Sequence, residues 1–195
     1  MLHQPLADLL RQHIEKITPL TEEEFGFIRS HFTFKKLRKH QFLVQEGDSV
    51  PNDFFVLRGC LKAYHTDQED KEHILQFALP DWWICDYQAY FKEAKATISV
   101  DCIEDSEFLC LSLQNREKLC GEMHKMEHFF RIKLSAGYVA LQQRILSMLN
   151  SSAKERYEQL LEQYPALFQK VPKTLIAAYL GVSRETLSRL NTPAK

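Results

Sequence analysis

At 195 residues the chain is long enough for one ordinary domain or two small ones, with a core that needs no disulfide staples. Hydrophobic residues make up 45% and charged residues 26%, with only 6 Gly and 7 Pro, which excludes collagen-like, low-complexity and disordered chains. The formal net charge of −1 is unevenly spread: residues 151–195 hold seven cations against four acids, +3, so the first 150 residues hold −4.

The N-terminal segment carries charges through what would be the apolar part of an export signal. No apolar stretch reaches membrane-spanning length, so a cytoplasmic chain is expected. Leu6, Leu9, Leu10 and Ile14 are spaced for a first helix, and Thr21 with Glu24 forms a capping box that opens a second through Phe25 and Ile28. From about Phe32 to Leu113 the texture changes to short runs of Phe, Val, Ile and Leu. Turn signals at Glu46-Gly47-Asp48, Pro51-Asn52-Asp53, Thr66-Asp67, Leu79-Pro80-Asp81 and Glu104-Asp105-Ser106 break them. Strands so spaced predict an antiparallel barrel or roll. Alternation in Ile98, Val100, Cys102 and in Phe55, Leu57, Gly59, Leu61, Ala63 predicts that one face of the sheet is buried. Cys60, Cys85, Cys102, Cys110 and Cys120 are odd in number and lack a C-x-x-C pair, as small core residues in a reducing compartment would be.

Beyond Leu113 the period becomes helical. From about Met126 to Asn150, one stripe runs through Phe129, Ile132, Ala136, Val139, Gln143 and Leu146 at alternating steps of three and four, and a second through Phe130, Leu134, Leu141, Ile145 and Met148. A helix apolar on two sides has two things to pack against, its own barrel and a second copy of itself. The first stripe is the expected homodimer seam; the alternative is a monomer with a buried helix. Ser151-Ser152 marks a junction, followed by an amphipathic helix from Ala153 to about Tyr164 that stops at Tyr164-Pro165.

The most specific signal lies between Val171 and Leu190. Pro172 suits a first helical turn, and Gly181 permits the left-handed residue of a tight turn before Val182. Leu175, Ile176, Tyr179 and Leu180 would pack with Val182, Leu187 and Leu190, while Ala177 and Ala178 allow close crossing, as in a helix-turn-helix. Ser183 is the expected N-cap of the second helix, with Arg184, Glu185, Ser188 and Arg189 off its apolar face. Arginine can fork onto guanine and a carboxylate can accept from cytosine. On spacing alone the segment reads equally as an amphipathic hairpin with a solvated Arg/Glu face.

The run Ser183-Arg-Glu-Thr-Leu-Ser-Arg189, preceded by Ala-Ala-Tyr-Leu-Gly181, resembles the recognition helix of the CRP/FNR superfamily of bacterial transcription regulators. Glu46-Gly47-Asp48, the Phe54–Gly59 run and the long helix stand in the family's order, so the resemblance covers nearly the whole chain. It implies an α+β chain: a sensor β-roll of jelly-roll type with N-terminal helices over 1–125, a dimerisation helix over 126–150, and a DNA-binding domain over 151–195. Carried over by motif, Arg184, Glu185 and Arg189 touch base edges, while Ser183 and Thr186 serve phosphates. The implied partners are double-stranded DNA, a second copy and RNA polymerase, with no membrane.

Two departures from the family pattern matter. Cyclic AMP binders have Gly-Glu early in a cassette and Arg-Ser or Arg-Thr late. Here Cys85 stands at the glycine, Asp86 at the glutamate, Ala96 at the arginine and Thr97 after it, so the phosphate lacks its fork and cyclic AMP is not the expected effector. Asp86 and Thr97 either line a pocket for another small molecule, or Trp82, Trp83, Tyr87 and Phe91 fill it. The chain also ends at Asn191-Thr-Pro193-Ala-Lys195 where relatives continue into a β-hairpin wing. A rival reading follows: a ligand-binding or protein-interaction module whose short C-terminal domain has ceased to read DNA. No cofactor or metal is expected. His73 is a lone histidine, His124 and His128 lack a third ligand, and no cysteine precedes Cys60 to hold an iron–sulfur cluster. A Gly-x-Ser-x-Gly elbow, a Walker loop and a His-x-His pair are all missing, so no catalytic residue is expected.

Overall fold

The computed structural model describes residues 4–190; the tail Asn191–Lys195, on which the wing expectation rests, and the side chain of Leu6 lie outside the described parts. Helices α1 (Gln4–Glu15) and α2 (Glu22–Ser30) open the chain. The capping box forms as the sequence predicts: Glu24 N donates to Thr21 Oγ1 at 3.2 Å and Thr21 N to Glu24 Oε2 at 2.8 Å.

Eight strands follow: β1 (Thr33–Leu37), β2 (Phe42–Val44), β3 (Asn52–Arg58), β4 (Leu61–Thr66), β5 (Glu72–Ala78), β6 (Trp83–Ile84), β7 (Ser99–Cys102) and β8 (Ser106–Ser112), with α3 (Tyr87–Lys92) between β6 and β7. They pair antiparallel in two four-stranded sheets, β1-β8-β3-β6 and β2-β7-β4-β5, which close as a roll. Gly59 turns β3 into β4 at φ +103°, and a Cβ there would lie 2.1 Å from Ser106 Oγ, so only glycine fits.

The expectation of one buried face is corrected, because these strands are covered on both sides. Phe54 and Val56 of β3, Phe108 and Cys110 of β8, and Leu61 and Ala63 of β4 point into the roll. The intervening Phe55, Leu57, Leu109 and Leu111 point outward into a second core shared with Leu10, Ile14, Phe25, Ile28 and Phe129 from helices. On the other sheet Cys60, Tyr64, Ile74 and Phe77 join a third core supplied by C-terminal helices. Cys60, Cys85, Cys102 and Cys110 are buried and Cys120 partly so, and burial pushes the thiols of Cys102 and Cys110 up to about 11.

After β8 come α4 (Leu113–Glu122) and the 27-residue α5 (His124–Asn150). Only the first turns of α5 are fully buried, at Met126, Phe129 and Phe130. Phe129, expected in the dimer seam, is fully buried inside its own protomer and drops out of any seam. Past Arg131 both predicted stripes are largely open: Val139, Leu146, Leu134, Leu141, Ile145 and Met148 are exposed, and Tyr138 between them is 70% accessible. Lys133, Gly137, Ala140 and Arg144 line a cleft between α5 and the roll, together with Ala136, Gln143 and Leu146 of the first stripe.

Two polar clusters bind these layers. Arg116 of α4 and Asp53 of β3, both buried, pair at 3.1 Å, and the guanidinium sits 4.0 Å from the Phe130 ring centre. Burial raises the Asp53 carboxyl to about 6 against the pull of Arg116. On α1, buried His13 donates from Nδ1 to Asp81 Oδ1 at 2.7 Å and accepts at Nε2 from the Trp83 indole at 3.1 Å, which fixes its tautomer.

Burial, with the Lys133 charge second, lowers the His13 pKa from its ordinary 6.5 to about 4. The unfolded chain therefore binds the extra proton between those values. The contribution of His13 is complete above pH 6.5 and is lost as pH falls through 4, by at most about 3 kcal/mol. Urea unfolding of wild type and His13→Gln at pH 7, 5 and 4 checks this: the wild type loses the stated share on acidification, and the variant lacks that component of the slope.

Candidate nucleic-acid interface

The C-terminal region comprises α6 (Ala153–Gln163), α7 (Pro165–Lys170), α8 (Lys173–Leu180) and α9 (Arg184–Leu190). Ser152 opens α6 with a second capping box to Glu155. Pro172 stands at the N-cap of α8, one position earlier than the sequence suggests, at φ −54°. Gly181 ends α8 at φ +67° and hands the chain to Val182, whose N–H bonds back to Ala177 O at 3.0 Å. Ser183 Oγ then accepts from Thr186 N at 3.2 Å, which starts α9.

Leu187 is the buried anchor of α9. It packs in one core with Ile176, Ala177 and Leu180 of α8 and with Leu160, Leu167 and Val171, while Val182, Tyr179 and Leu190 lie at the margin. Because Leu187 faces inward, Arg184, Glu185, Ser188 and Arg189 share the outer face and line a single shallow depression. Thr186 is half-buried and its Oγ1 accepts from Arg189 Nη2 at 3.2 Å. The Glu185 carboxyl lies below its ordinary range; hydrogen bonds to its own backbone N–H and to Ser183 lead, with Arg184 and Arg189 adding smaller pulls. At neutral pH the outer face carries two guanidiniums, one carboxylate and a hydroxyl, donors and acceptors together on a rodlike surface.

The other predicted cluster has a different character. Asp86 is buried at the N-cap of α3, with Oδ1 accepting from Ala89 N at 3.1 Å and Oδ2 accepting from Thr97 N at 2.7 Å and Thr97 Oγ1 at 3.0 Å. Cys85 Sγ donates to Asn52 O at 3.3 Å, and Ala96 is buried, its backbone bonded to Gly47 and Asp48. The four residues come together, as a joint between α3 and the loop before β7. Val50, Ile84, Ala89 and Tyr90 fill the space inside them, while Lys95 is exposed. His73 is exposed and bonded to Asp67 at 2.6 Å, His128 meets Arg131 at 2.8 Å, and no group of three metal-ligating side chains occurs among the described residues.

What the sequence reading missed is how the helix-turn-helix is held. Arg144 of α5 donates from Nη2 to Ile74 O of β5 at 2.9 Å and to Tyr179 O of α8 at 3.1 Å, and stacks 3.5 Å from the Tyr179 ring centre. Arg156 donates to Leu180 O at 3.1 Å and Ser151 O at 2.6 Å. Phe77 meets the Tyr179 ring at 5.2 Å and Trp82 meets Tyr164 at 5.0 Å. Such long-range contacts have no local signature; the one hint was that β5 is apolar on both faces.

Residues 34–123 match the family of cyclic nucleotide-binding domains. The transcriptional activator protein Anr of Pseudomonas aeruginosa is 23% identical over 173 residues, which span 81% of this chain and 68% of Anr. Among solved structures, FixK2 from Bradyrhizobium japonicum has a TM-score of 0.71 at 17% identity, covering 82% of each chain. CLP of Xanthomonas campestris, described as a c-di-GMP responsive global regulator, has a TM-score of 0.68 at 12% identity, covering 87% of this chain and 89% of its own.

The turn between α8 and α9 depends on a left-handed residue with little room, since a Cβ on Gly181 would lie 3.0 Å from Met148 Cε. Gly181→Ala should cost about 1–2 kcal/mol through the left-handed backbone. Thermal unfolding monitored by circular dichroism reads the loss directly.

Proposed function

We propose that this chain, whose residues 34–123 match the cyclic nucleotide-binding domain family, is a cytoplasmic, homodimeric regulator of the CRP/FNR type that reads a palindromic DNA site under control of an effector other than cyclic AMP. The observation that carries the reading is the outer face of α9. Arg184, Glu185, Ser188 and Arg189 are solvent-facing on a helix whose opposite side is anchored by Leu187. In the family's docking geometry that face enters the major groove, where arginine forks onto guanine and glutamate accepts from cytosine; Ser183 and Thr186 serve the backbone. No helix among the described residues is long and apolar enough to cross a membrane.

The bare length of α5 supports the dimer. Eight large apolar side chains between Leu134 and Leu149 stand exposed, Leu149 at 74%, and water is a poor partner for such a run. Ile132, Ala136, Val139, Gln143 and Leu146 keep their place in the proposed seam, with Tyr138 and Leu149 beside them. Two copies joined there present two α9 helices to half-sites about 34 Å apart. Against cyclic AMP stands the position of Ala96: its methyl group is buried in the roll, and the neighbouring Lys95 is a surface point charge.

Selection of bound sequences from random duplex DNA tests the reading. An enriched palindrome is expected, lost in Arg184→Ala/Arg189→Ala, with Arg184→Ala alone relaxing preference at one base pair by about 1–3 kcal/mol and with binding that weakens steeply as salt rises. Absence of enrichment, with and without a cell metabolite extract, would favour the interaction-module reading. Separately, Val139→Glu/Leu146→Glu should convert the dimer to a monomer in sedimentation velocity while leaving the circular dichroism spectrum unchanged; a wild-type monomer at micromolar concentration would defeat the seam.

A further inference from the structure

A cleft of about 1120 Å³ runs between β5 and β6 of the roll, the inner face of α5 and the helices α6 and α8. Leu75, Trp82, Trp83 and Tyr164 supply apolar wall. Its charges do not balance. The two carboxylates on the lining are already engaged, Asp53 by Arg116 at 3.1 Å and Asp81 by His13 at 2.7 Å and Lys16 at 2.5 Å. Lys133, Arg144 and Arg156 also line it, and none of them has an ion-pair partner among the described residues.

We propose that this cleft binds an amphipathic organic anion, with its acidic head between Arg144 and Arg156 and its apolar or aromatic body lying along Gly137 and Ala140 toward Trp82, Trp83 and Lys133. Each guanidinium has five N–H donors in a planar fork, and the carbonyls of Ile74, Tyr179, Leu180 and Ser151 use only part of them. Burial depresses the basicity of both Arg144 and Lys133, so a bound anion relieves a cost the empty cleft carries. The groove is open where the body would lie, because a Cβ on Gly137 would meet nothing within 4 Å. Lys133 and Arg144 are about 16 Å apart along the helix, room for an extended body. Ala136, Gln143 and Leu146 of the proposed seam also line the cleft, so a dimer joined there sets the partner's helix along its outer edge, while Lys133 and Arg144 lie about 120–160° around α5 from Val139 and Leu146.

The head site touches the DNA-reading unit. Arg144 and Arg156 hold the last two carbonyls of α8, those of Tyr179 and Leu180, immediately before the Gly181 turn. An anion that draws the guanidiniums toward itself loosens or re-aims that grip, so a ligand in the cleft biases the placement of α9. Only this last step rests on the regulatory reading; binding itself does not.

The test uses anilinonaphthalene sulfonate, an aromatic anion, and its uncharged relative phenylnaphthylamine, each titrated into the full-length chain without DNA and followed by quenching of Trp82 and Trp83. The sulfonate is expected to bind once per chain, at least tenfold tighter than the neutral probe. Gly137→Phe should abolish that binding by filling the groove, at an exposed helical position that leaves the melting curve intact. Arg144→Gln should remove the preference for the anion. Equal affinity for the two probes, or sulfonate binding that survives Gly137→Phe, overturns the site. A chain that binds the sulfonate as expected but enriches no DNA sequence keeps the site and refutes the regulatory reading. One that enriches an operator but ignores Gly137→Phe refutes the site alone.

Discussion

The central strands of both sheets are covered on their outer as well as their inner side, and that constraint organises the molecule. Alternate side chains on β3 and β8 feed the interior and an outer core beneath α1, α2 and α5. Cys60, Tyr64, Ile74 and Phe77 give the other sheet its own outer core beneath α6–α9. Antiparallel sheets commonly leave one side to water; here both outer sides are apolar and each needs a cover. The cover of the first sheet is the N-terminal lid and the root of the long helix. That of the second is the helix-turn-helix domain. The roll and the C-terminal helices therefore share a packed core and are not beads on a linker, and a change in the shape of β5 is felt by Tyr179 through the Phe77 ring.

Electrostatics tightens the same arrangement at its weakest points. Arg116 and Asp53 are a buried pair whose mutual attraction offsets two desolvation costs, and removing either partner leaves the other uncompensated. The Phe130 ring over the guanidinium adds a cation–π contact that ties the root of α5 to α4 and β3. Fourteen residues beyond Phe130 along α5 the fixing changes character: Arg144 stacks on the Tyr179 ring and donates its hydrogen bonds to backbone carbonyls, which can be exchanged for another acceptor without leaving a buried carboxylate unpaired. One end of the helix is rigidly anchored and the other is held by replaceable bonds. That asymmetry suits a lever whose far end can adopt two positions.

What could be read from the sequence was local. The Thr21–Glu24 capping box, the Ser183 cap, the Gly181 turn and the strand-and-turn texture of the roll all depend on residues within a few positions of one another, and each stands where its spacing puts it. What stayed hidden was built across distance in the chain. His13 meets Asp81 across 68 positions and Arg116 meets Asp53 across 63, and neither leaves a periodic trace. Periodicity also cannot tell a face turned to the protomer's own core from one turned to a partner. Phe129 lies on the same alternating three–four stripe as Val139 and Leu146, yet it is buried beside His13 and Phe55 while they are exposed. The one-sided alternation read through Phe55, Leu57 and Gly59 missed the second cover for a related reason: residues 54–57 of β3 are apolar and buried at every position.

The candidate pocket at Asp86 and Thr97 bears on how control could work in a roll of this type. A carboxylate that accepts three hydrogen bonds from its own chain has spent its acceptors on holding α3, and Ala96 offers no cation for a phosphate. An effector that acts through the roll interior would have to displace well-packed core, at a cost of several side chains' burial. One that acts between roll, long helix and C-terminal helices meets a space already open and cations without an ion-pair partner among the described residues. To move a two-state lever from mostly one position to mostly the other, a ligand needs roughly four powers of ten in differential affinity. Contacts that exist in only one arrangement supply such a difference, and two guanidiniums whose spacing depends on where α8 sits are contacts of that kind. Such coupling is reciprocal: if α9 reads DNA as proposed, DNA that favours one placement of α9 also favours one spacing of Arg144 and Arg156, and the two ligands change each other's affinity by the same factor.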